Sequence, residues 1–284
     1  MSRVLIAGCG YVGAVLGEQL AADSHTVWGL RRRPLSLPQR VLPIAADLTL
    51  PTTLVGLPSD LDVVFYMAAP AGPDDALYRA AYVDGLRHLL EALCKQGQRP
   101  SRVFFVSSTA VFAQQRGEWI DESSATEPAH FTGIRLLEGE RTLLGGPYRG
   151  AVVRFGGIYG PRRVQLVERV RAGRAEYARG RPQFTNRIHR DDCAGVLRHL
   201  MDVEDPASVT IGVDCEPADQ RNVLEWLAGA LGAPPPRRAP AGEGGARAPR
   251  SNKRCRNDRL LATGYAFRYP TFREGYRAVI AGMI

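Results

Sequence analysis

The sequence predicts an α/β protein with a doubly wound parallel sheet and a small lobe toward the C-terminus. Three observations carry this. Short runs that are apolar at nearly every position alternate with longer stretches of helical spacing, as expected when strands are covered on both faces. The first such run leads into a glycine-rich turn that opens a helix. The chain, at 284 residues with 45% hydrophobic and 23% charged residues, can bury one sizeable core and an appended lobe.

The elements follow in order. RVLIAG at residues 3–8 reads as a buried strand, followed by Gly8-Cys9-Gly10-Tyr11-Val12-Gly13 and the helical spacing of VGAVLGEQLAA. In such a turn the first glycine permits the tight bend, the second lets the backbone approach a pyrophosphate, and the third allows close helix packing. The helix N-terminus then offers N–H donors to the anion. Gly8, Gly10, Tyr11, Val12 and Gly13 are therefore expected to bind a dinucleotide. HTVWGL (25–30) reads as the second strand, and its end is where a carboxylate would grip an adenosine ribose. The chain has Arg31-Arg32-Arg33 there, which favours NADP over NAD, with Arg31 and Arg32 placed to pair a 2′-phosphate. VLPIAAD (41–47), DVVFYMAAP (62–70), RVFFVSS (102–108) and AVVRFGG (151–157) are further strands, and LYRAAYVDGLRHLLEALCKQ (77–96) is a helix between them. This succession of strand and crossover implies a parallel sheet, with Ala68, Ala69, Ser107, Ser108 and Gly156 at the carboxyl ends of strands, the ligand side. LLEGERTLL (136–144) reads as an amphipathic helix with Glu138 and Glu140 facing solvent.

Charge and cysteine usage narrow the setting. From Arg162 to Arg190 there are nine arginines against two acidic residues, and from Arg237 to Arg259 eight Arg or Lys against two. With a net charge of +8, the rest of the chain carries −5, so a basic lobe sits on an acidic body. That distribution suits an anionic small-molecule substrate. Nucleic acid is not expected as a partner, because no recognition helix, finger or stacking motif accompanies the charge. Five scattered cysteines without CxxC spacing suit a reducing compartment, and Met1 runs directly into the first strand without a leader pattern, so a cytoplasmic protein is expected. No apolar run approaches the roughly 20 residues of a membrane span. The Pro-, Gly- and Arg-rich stretch 233–254 reads as a basic loop. The absence of HExxH, a Cys/His cluster or GxSxG gives no support to metal or serine hydrolase chemistry, and no metal is expected.

Taken together, GCGYVG, AADL with Asp47, MAAP, VSSTAVF, VVRFGGIYGP and NRIHRDDCA resemble, in order and spacing, the extended short-chain dehydrogenases, also called the NAD-dependent epimerase/dehydratase family. The resemblance implies an NAD(P)-binding Rossmann fold at 1–159 and 187–214, and a discontinuous substrate lobe at 160–186 and 215–284. It implies cofactor contacts at Asp47, Leu48, Ala68, Ala69, Ser107 and Arg135, a catalytic serine at Ser108, and a substrate wall at Thr109, Phe131, Tyr159 and Arg162. His189 and Asp192 resemble the motif that fixes the return to the main sheet. A homodimer is the default for the fold.

One departure stands out. The family places Y-x-x-x-K where this chain has HFTGIR (130–135), so Phe131 stands at the phenol's place and Arg135 at the lysine's. Phe131 carries no ionisable group, while Arg135 keeps a fixed charge and donors. Positioning supplies roughly 7 to 11 kcal/mol of a barrier and survives loss of the phenol, whereas general acid catalysis contributes about 10²- to 10⁴-fold. Carbonyl reduction is thus slowed rather than forbidden, and an iminium or activated enone needs still less help. Tyr159 leads the substitute acids, ahead of Tyr66, Thr109 and His130. The expected function is an NADP-preferring oxidoreductase acting on a small or anionic carbonyl- or imine-like substrate. Nucleotide-sugar epimerase or dehydratase activity and a non-catalytic NADP-binding regulator are the alternatives.

Overall fold

The computed structural model describes residues 1–239 and 251–283, so part of the basic loop, 240–250, lies outside the described residues. The central sheet is made of β1 (Arg3–Ala7), β2 (Thr26–Arg31), β3 (Leu42–Ala45), β4 (Val63–Tyr66), β5 (Arg102–Ser108), β6 (Gly150–Phe155) and β7 (Val209–Gly212). Their order across the sheet is β7-β6-β5-β4-β1-β2-β3, and the pairings of β3 with β2, β2 with β1, β1 with β4 and β4 with β5 are parallel. The order reverses between β1 and β4, the crevice where ligands enter sheets of this kind. Val4 to Ala7 and Val64 to Tyr66 are fully buried, as their unbroken apolar runs require.

The chain divides into two compact units, residues 1–111, 126–154 and 194–210 in one, and 112–125, 155–193 and the described residues from 211 onward in the other. The expected domain limits assign 112–125 to the first part. Its strand Glu118–Ile120 instead pairs with Lys253–Cys255, and the buried Lys253 Nζ donates to Phe112 O at 3.0 Å. A pairing between segments so distant in sequence leaves no local trace.

In the first unit, α1 (Gly13–Ala22) follows the glycine turn, and α2 (Asp75–Arg79), α3 (Gly85–Lys95) and α4 (Phe131–Leu144) cover the sheet. The helix expected over 77–96 is interrupted by a wider π turn at Ala80–Asp84. The buried Tyr66 hydroxyl donates to Ala81 O within that turn at 2.5 Å, and a Cβ on Gly85 would stand 2.6 Å from the same hydroxyl. Tyr66 is thereby committed to the core, and burial pushes its phenol far above the usual range.

α4 departs most from its expected pattern. Glu140 is only 2% exposed and accepts from Arg154 Nε at 3.0 Å, Arg154 Nη2 at 2.6 Å and Ser107 Oγ at 2.5 Å. Gly139 beside it is equally internal, since a Cβ there would meet Tyr82 O at 2.4 Å. The inner face of α4 therefore includes a glycine and a glutamate, and the partner that makes this tolerable arrives from β6. Glu138, by contrast, lies at the surface as half-buried.

The second unit has its own core, in which Val167, Val170, Leu224, Leu227, Phe272 and Val279 join the helices Gln165–Arg171, Gln220–Leu231 and Phe272–Ala281. The last of these opens on a capping box, with Thr271 and Glu274 satisfying each other's backbone N–H groups. Asp192, fully buried, accepts from Tyr265 Oη at 3.0 Å, Arg268 N at 2.7 Å and Tyr269 N at 3.0 Å, so it ties down the C-terminal segment. Among the described residues no helix is long and apolar enough to cross a membrane, and no cluster of residues could hold a metal ion.

The ion pair within the first unit sets a stability prediction. Glu140→Ala leaves the Arg154 charge buried without its partner, and is expected to lower unfolding free energy by about 3 to 5 kcal/mol. Ser107→Ala should cost roughly 1 kcal/mol. Urea denaturation of both variants measures this, and a Glu140→Ala variant within about 1 kcal/mol of the parent contradicts it.

Candidate active site

The glycine turn between β1 and α1 is built as a cradle. Gly8 has φ +85°, and a Cβ there would stand 2.5 Å from Ala68 N, so the turn and the chain leaving β4 touch backbone to backbone. Gly8 N and Cys9 N both donate to Leu30 O, at 2.9 and 3.0 Å, which pins the turn to the end of β2. A Cβ on Gly13 would meet Ile6 Cγ2 at 3.0 Å, the close helix-to-strand approach that glycine permits. Gly10 differs from both. A Cβ there would meet only Gly8 O, at 3.7 Å, so protein packing does not demand a glycine. A ligand drawn against the backbone does. α1 begins at Gly13 after Val12, which supplies no side-chain cap, and it has no acidic residue in its first turn, so its leading N–H groups and positive end are available to an anion. The turn fits a pyrophosphate, with Tyr11 half-buried and Val12 buried at the helix entrance.

The adenosine end follows from the ends of β2 and β3. Arg31 is half-buried and its Nη1 lies 3.3 Å from Ser36 Oγ, while Arg32 is exposed. Asp47 accepts from Thr49 N at 2.9 Å and Thr49 Oγ1 at 2.7 Å. Burial pulls its carboxyl upward, but the Thr49 bonds and the charge of Arg32 outweigh that and hold it below the usual range. Arg32 and Asp47 thus share one field. Leu48 is buried behind them, its carbonyl 3.0 Å from the His88 ring.

At the carboxyl ends of β4 and β5 lie Ala68 and Ala69, half-buried and exposed, and the serine pair. Ser107 is buried and spent on Glu140. Ser108 is half-buried, and its Oγ accepts from Ala110 N at 3.2 Å, so its own O–H has no acceptor among the described residues. Thr109 is buried in the turn that follows. The first turn of α4 packs on this segment, since a Cβ on Gly133 would stand 2.4 Å from Ala110 O. Phe131 is half-buried there. Its ring meets Tyr78 of α2 edge to face, centroids 5.3 Å apart at 86°, and lies 4.3 Å from the ring of His130. His130 caps α4, its Nδ1 accepting from Thr132 N.

Arg135 is where the geometry departs from the expected ribose-directed donors. Its Nε and Nη2 bind both oxygens of Asp75, at 2.7 and 2.9 Å, and its Nη1 reaches both oxygens of Glu138, at 2.8 and 2.9 Å. Every guanidinium nitrogen is occupied. The hydrogen bonds it donates to Asp75 and then to Glu138 raise the guanidinium's pKa further, and the same pairing lowers that of Asp75.

Tyr159 departs as well. It belongs to the second unit, is 5% exposed, and stacks on Tyr276 at 4.4 Å with His189 perpendicular at 5.3 Å. A Cβ on Gly275 would fall 1.8 Å from its hydroxyl, which is thus closed in by its own unit and has no hydrogen-bond partner among the described residues. Burial, then the charge of Asp214, pushes the phenol far up. A hydroxyl so enclosed is a poor replacement acid. Arg162 sits nearby in sequence at φ +68°, in the turn after Tyr159, and is exposed. His189 is buried and neutral, its imidazole pushed down to about 4 by burial. The same unit holds a cavity of about 160 Å³ lined by Tyr177, Arg181, Gln183, Asp219, Arg221 and Arg238, three guanidinium groups against one carboxylate.

Two predictions follow from these environments. Gly10→Ala should leave thermal stability within about 1 kcal/mol while weakening nucleotide binding tenfold or more, whereas Gly8→Ala should destabilise the fold; equal nucleotide affinity in Gly10→Ala and the parent contradicts the cradle. Burial pushes the Asp214 carboxyl up to about 8, so the fold favours its neutral form. Its contribution is complete below the unfolded value near 4 and is lost as pH rises through 8. Asp214→Asn should therefore gain thermal stability relative to the parent between pH 5 and pH 9 in melting curves, and a constant gap over that range rules this out.

The comparisons agree with this geometry. Residues 4–189 match the model of the NAD dependent epimerase/dehydratase family. A 3-diazoavenalumate denitrifying reductase of a Streptomyces species is 30% identical, over 96% of this chain and 98% of that protein. A Methylobacillus flagellatus structure of the NAD-dependent epimerase/dehydratase type superposes with a TM-score of 0.81 at 36% identity, covering 99% of this chain and 98% of the other. A human epimerase family protein, solved with NADPH, shares the fold at a TM-score of 0.80 and 24% identity, covering 98% of this chain and 99% of that one. A strand-turn-helix nucleotide cradle in a seven-stranded sheet, matched by family model and relatives alike, makes this chain a member of the NAD dependent epimerase/dehydratase family.

Proposed function

We propose that this protein is an NADP-preferring reductase whose acceptor is already electron-poor, a small carbonyl- or imine-like group on a molecule that also carries an anionic group. The observation that carries this reading is the state of the two family positions for proton handling. Phe131 has no proton to give, and Arg135 is neutralised by Asp75 and Glu138. The leading substitute, Tyr159, is enclosed. The binding apparatus, in contrast, is intact in the glycine cradle and the uncapped α1.

When bound, NADPH supplies a hydride. The chain's part is to hold the nucleotide and acceptor together, worth roughly 7 to 11 kcal/mol, while the missing acid forfeits about 10²- to 10⁴-fold only where a neutral carbonyl must be protonated. Hydride addition to an iminium carbon consumes no proton. The relative's name points the same way, since replacing C–N₂⁺ by C–H with one hydride releases dinitrogen and needs no proton donor. Ser108 would orient the acceptor through its uncommitted O–H. The net charge of +8 raises the local concentration of a substrate that bears a carboxylate or phosphate. Epimerase or dehydratase chemistry is disfavoured because, by the family resemblance, it reuses a base at the position of Phe131.

NADP preference rests on Arg31 and Arg32 at the end of β2, where no carboxylate stands. Fluorescence titration should show NADPH binding at least tenfold tighter than NADH, and Arg31→Ala with Arg32→Ala should erase most of that margin while leaving NADH affinity within about twofold. Equal affinity for the two nucleotides in the parent protein defeats the preference. Nucleotide binding without hydride transfer to any acceptor favours a regulator instead.

A further inference from the structure

We propose that Phe131 and Tyr78 form an aromatic corner that receives the positive charge of the acceptor, which makes the substrate class an organic cation such as an iminium ion. This rests on the reductase reading above and names its substrate more closely.

Two independent features of the first unit converge. The first is ring geometry. Phe131 and Tyr78 are half-buried and meet at 86° with centroids 5.3 Å apart, and His130 extends the group at 4.3 Å from Phe131. In an edge-to-face pair the ring that offers its edge keeps its own faces uncovered by its partner, and such a face attracts ammonium or iminium charge. The second is the local charge. Arg135, the fixed cation one helical turn after Phe131, is bound by Asp75 and Glu138, so the three groups together carry −1. Asp75 is on α2, three residues before Tyr78, so α2 supplies both the second ring and the neutralising carboxylate. A free arginine here would repel a cationic substrate; the triad removes that repulsion and reverses its sign. The positive end of α4 opposes the effect, but His130 Nδ1 accepts the Thr132 N–H at that end.

The position is right for a reacting group. The first turn of α4 rests on the segment following Ser108, at the carboxyl end of β5, the ligand side of a parallel sheet. The chemistry also balances: one hydride, which is a proton with both electrons, would pass from bound NADPH to the C=N⁺ carbon, giving a neutral amine and NADP⁺, with no proton needed from residue 131.

The test uses the full chain with NADPH and three probes: an N-methyl dihydroisoquinolinium iminium, tetralone as the uncharged ketone of the same outline, and benzyltrimethylammonium as a cation that cannot accept hydride. The iminium should be reduced in preference to tetralone, with benzyltrimethylammonium competing. Phe131→Leu and Tyr78→Leu should each weaken that competition about 3- to 30-fold, Phe131→Tyr should retain it, and Asp75→Asn should weaken it by removing the triad's net negative charge and leaving Arg135 paired with Glu138 alone. NADPH titration should be unchanged in all four variants, which separates loss of the corner from loss of the fold. Preference for tetralone, or inhibition that is the same in Phe131→Leu as in the parent, overturns the corner and leaves the reductase reading standing. If NADPH binds and neither acceptor is reduced, the reductase reading fails, and calorimetric binding of benzyltrimethylammonium to the NADP⁺-loaded parent and Phe131→Leu proteins still decides the corner.

Discussion

The carboxylate of Glu140 holds three elements of the first unit to one another. It accepts from Ser107 at the end of β5 and from Arg154 on β6, and it belongs to the helix that begins at Phe131. Ser107 precedes Ser108, so the network places the serine segment and the helix carrying Phe131 and Arg135 in fixed relation. Burying two charges is expensive, several kcal/mol for each ion, and is offset here because the guanidinium meets both carboxylate oxygens and the remaining acceptor capacity is taken by a hydroxyl. Apolar side chains of the same volume could match the stability. They would not direct a helix to one register on the sheet, which is what a site assembled from separate elements requires.

On that frame the nucleotide side is made mostly of backbone. Gly8 brings the turn against Ala68, Gly13 brings α1 against β1, and Gly10 leaves its backbone uncovered. These roles need the absence of side chains, and for that reason they leave a mark in the sequence. The segment beside Ser108 is made of side chains, a ring at Phe131 and a paired ion at Arg135. Aromatic contact runs from Phe105 through Tyr82 and Tyr78 to Phe131, so the Phe131 ring is packed and supported.

Charge is distributed unevenly between the two units. The acidic triad Asp75, Arg135 and Glu138 lies in the first unit, while the arginine-rich stretches belong to the second. Within the second unit the arginines are used in several ways: Arg221 pairs with Glu225 and lies over Tyr177, Arg254 lies over Trp119 and Phe184, and Arg181 and Arg238 line the cavity.

What the sequence determined by itself were the features whose physics is local: buried strands written as apolar runs, the glycine turn with its helix, and the missing carboxylate after β2. It also showed that residue 131 has no proton to donate. Tertiary structure decided everything that depends on partners far along the chain. Glu140 read as a surface residue because its partner Arg154 is on another strand; Arg135 read as an open cation because Asp75 lies 60 residues away. Tyr159 read as an acid because the segment around it cannot show that Tyr276 and Gly275 enclose its hydroxyl. Tyr78 was unremarkable in a helical run until folding set it against Phe131. A side chain's proton, charge or exposure is a property of its surroundings, and for these residues the surroundings are assembled only when the chain folds.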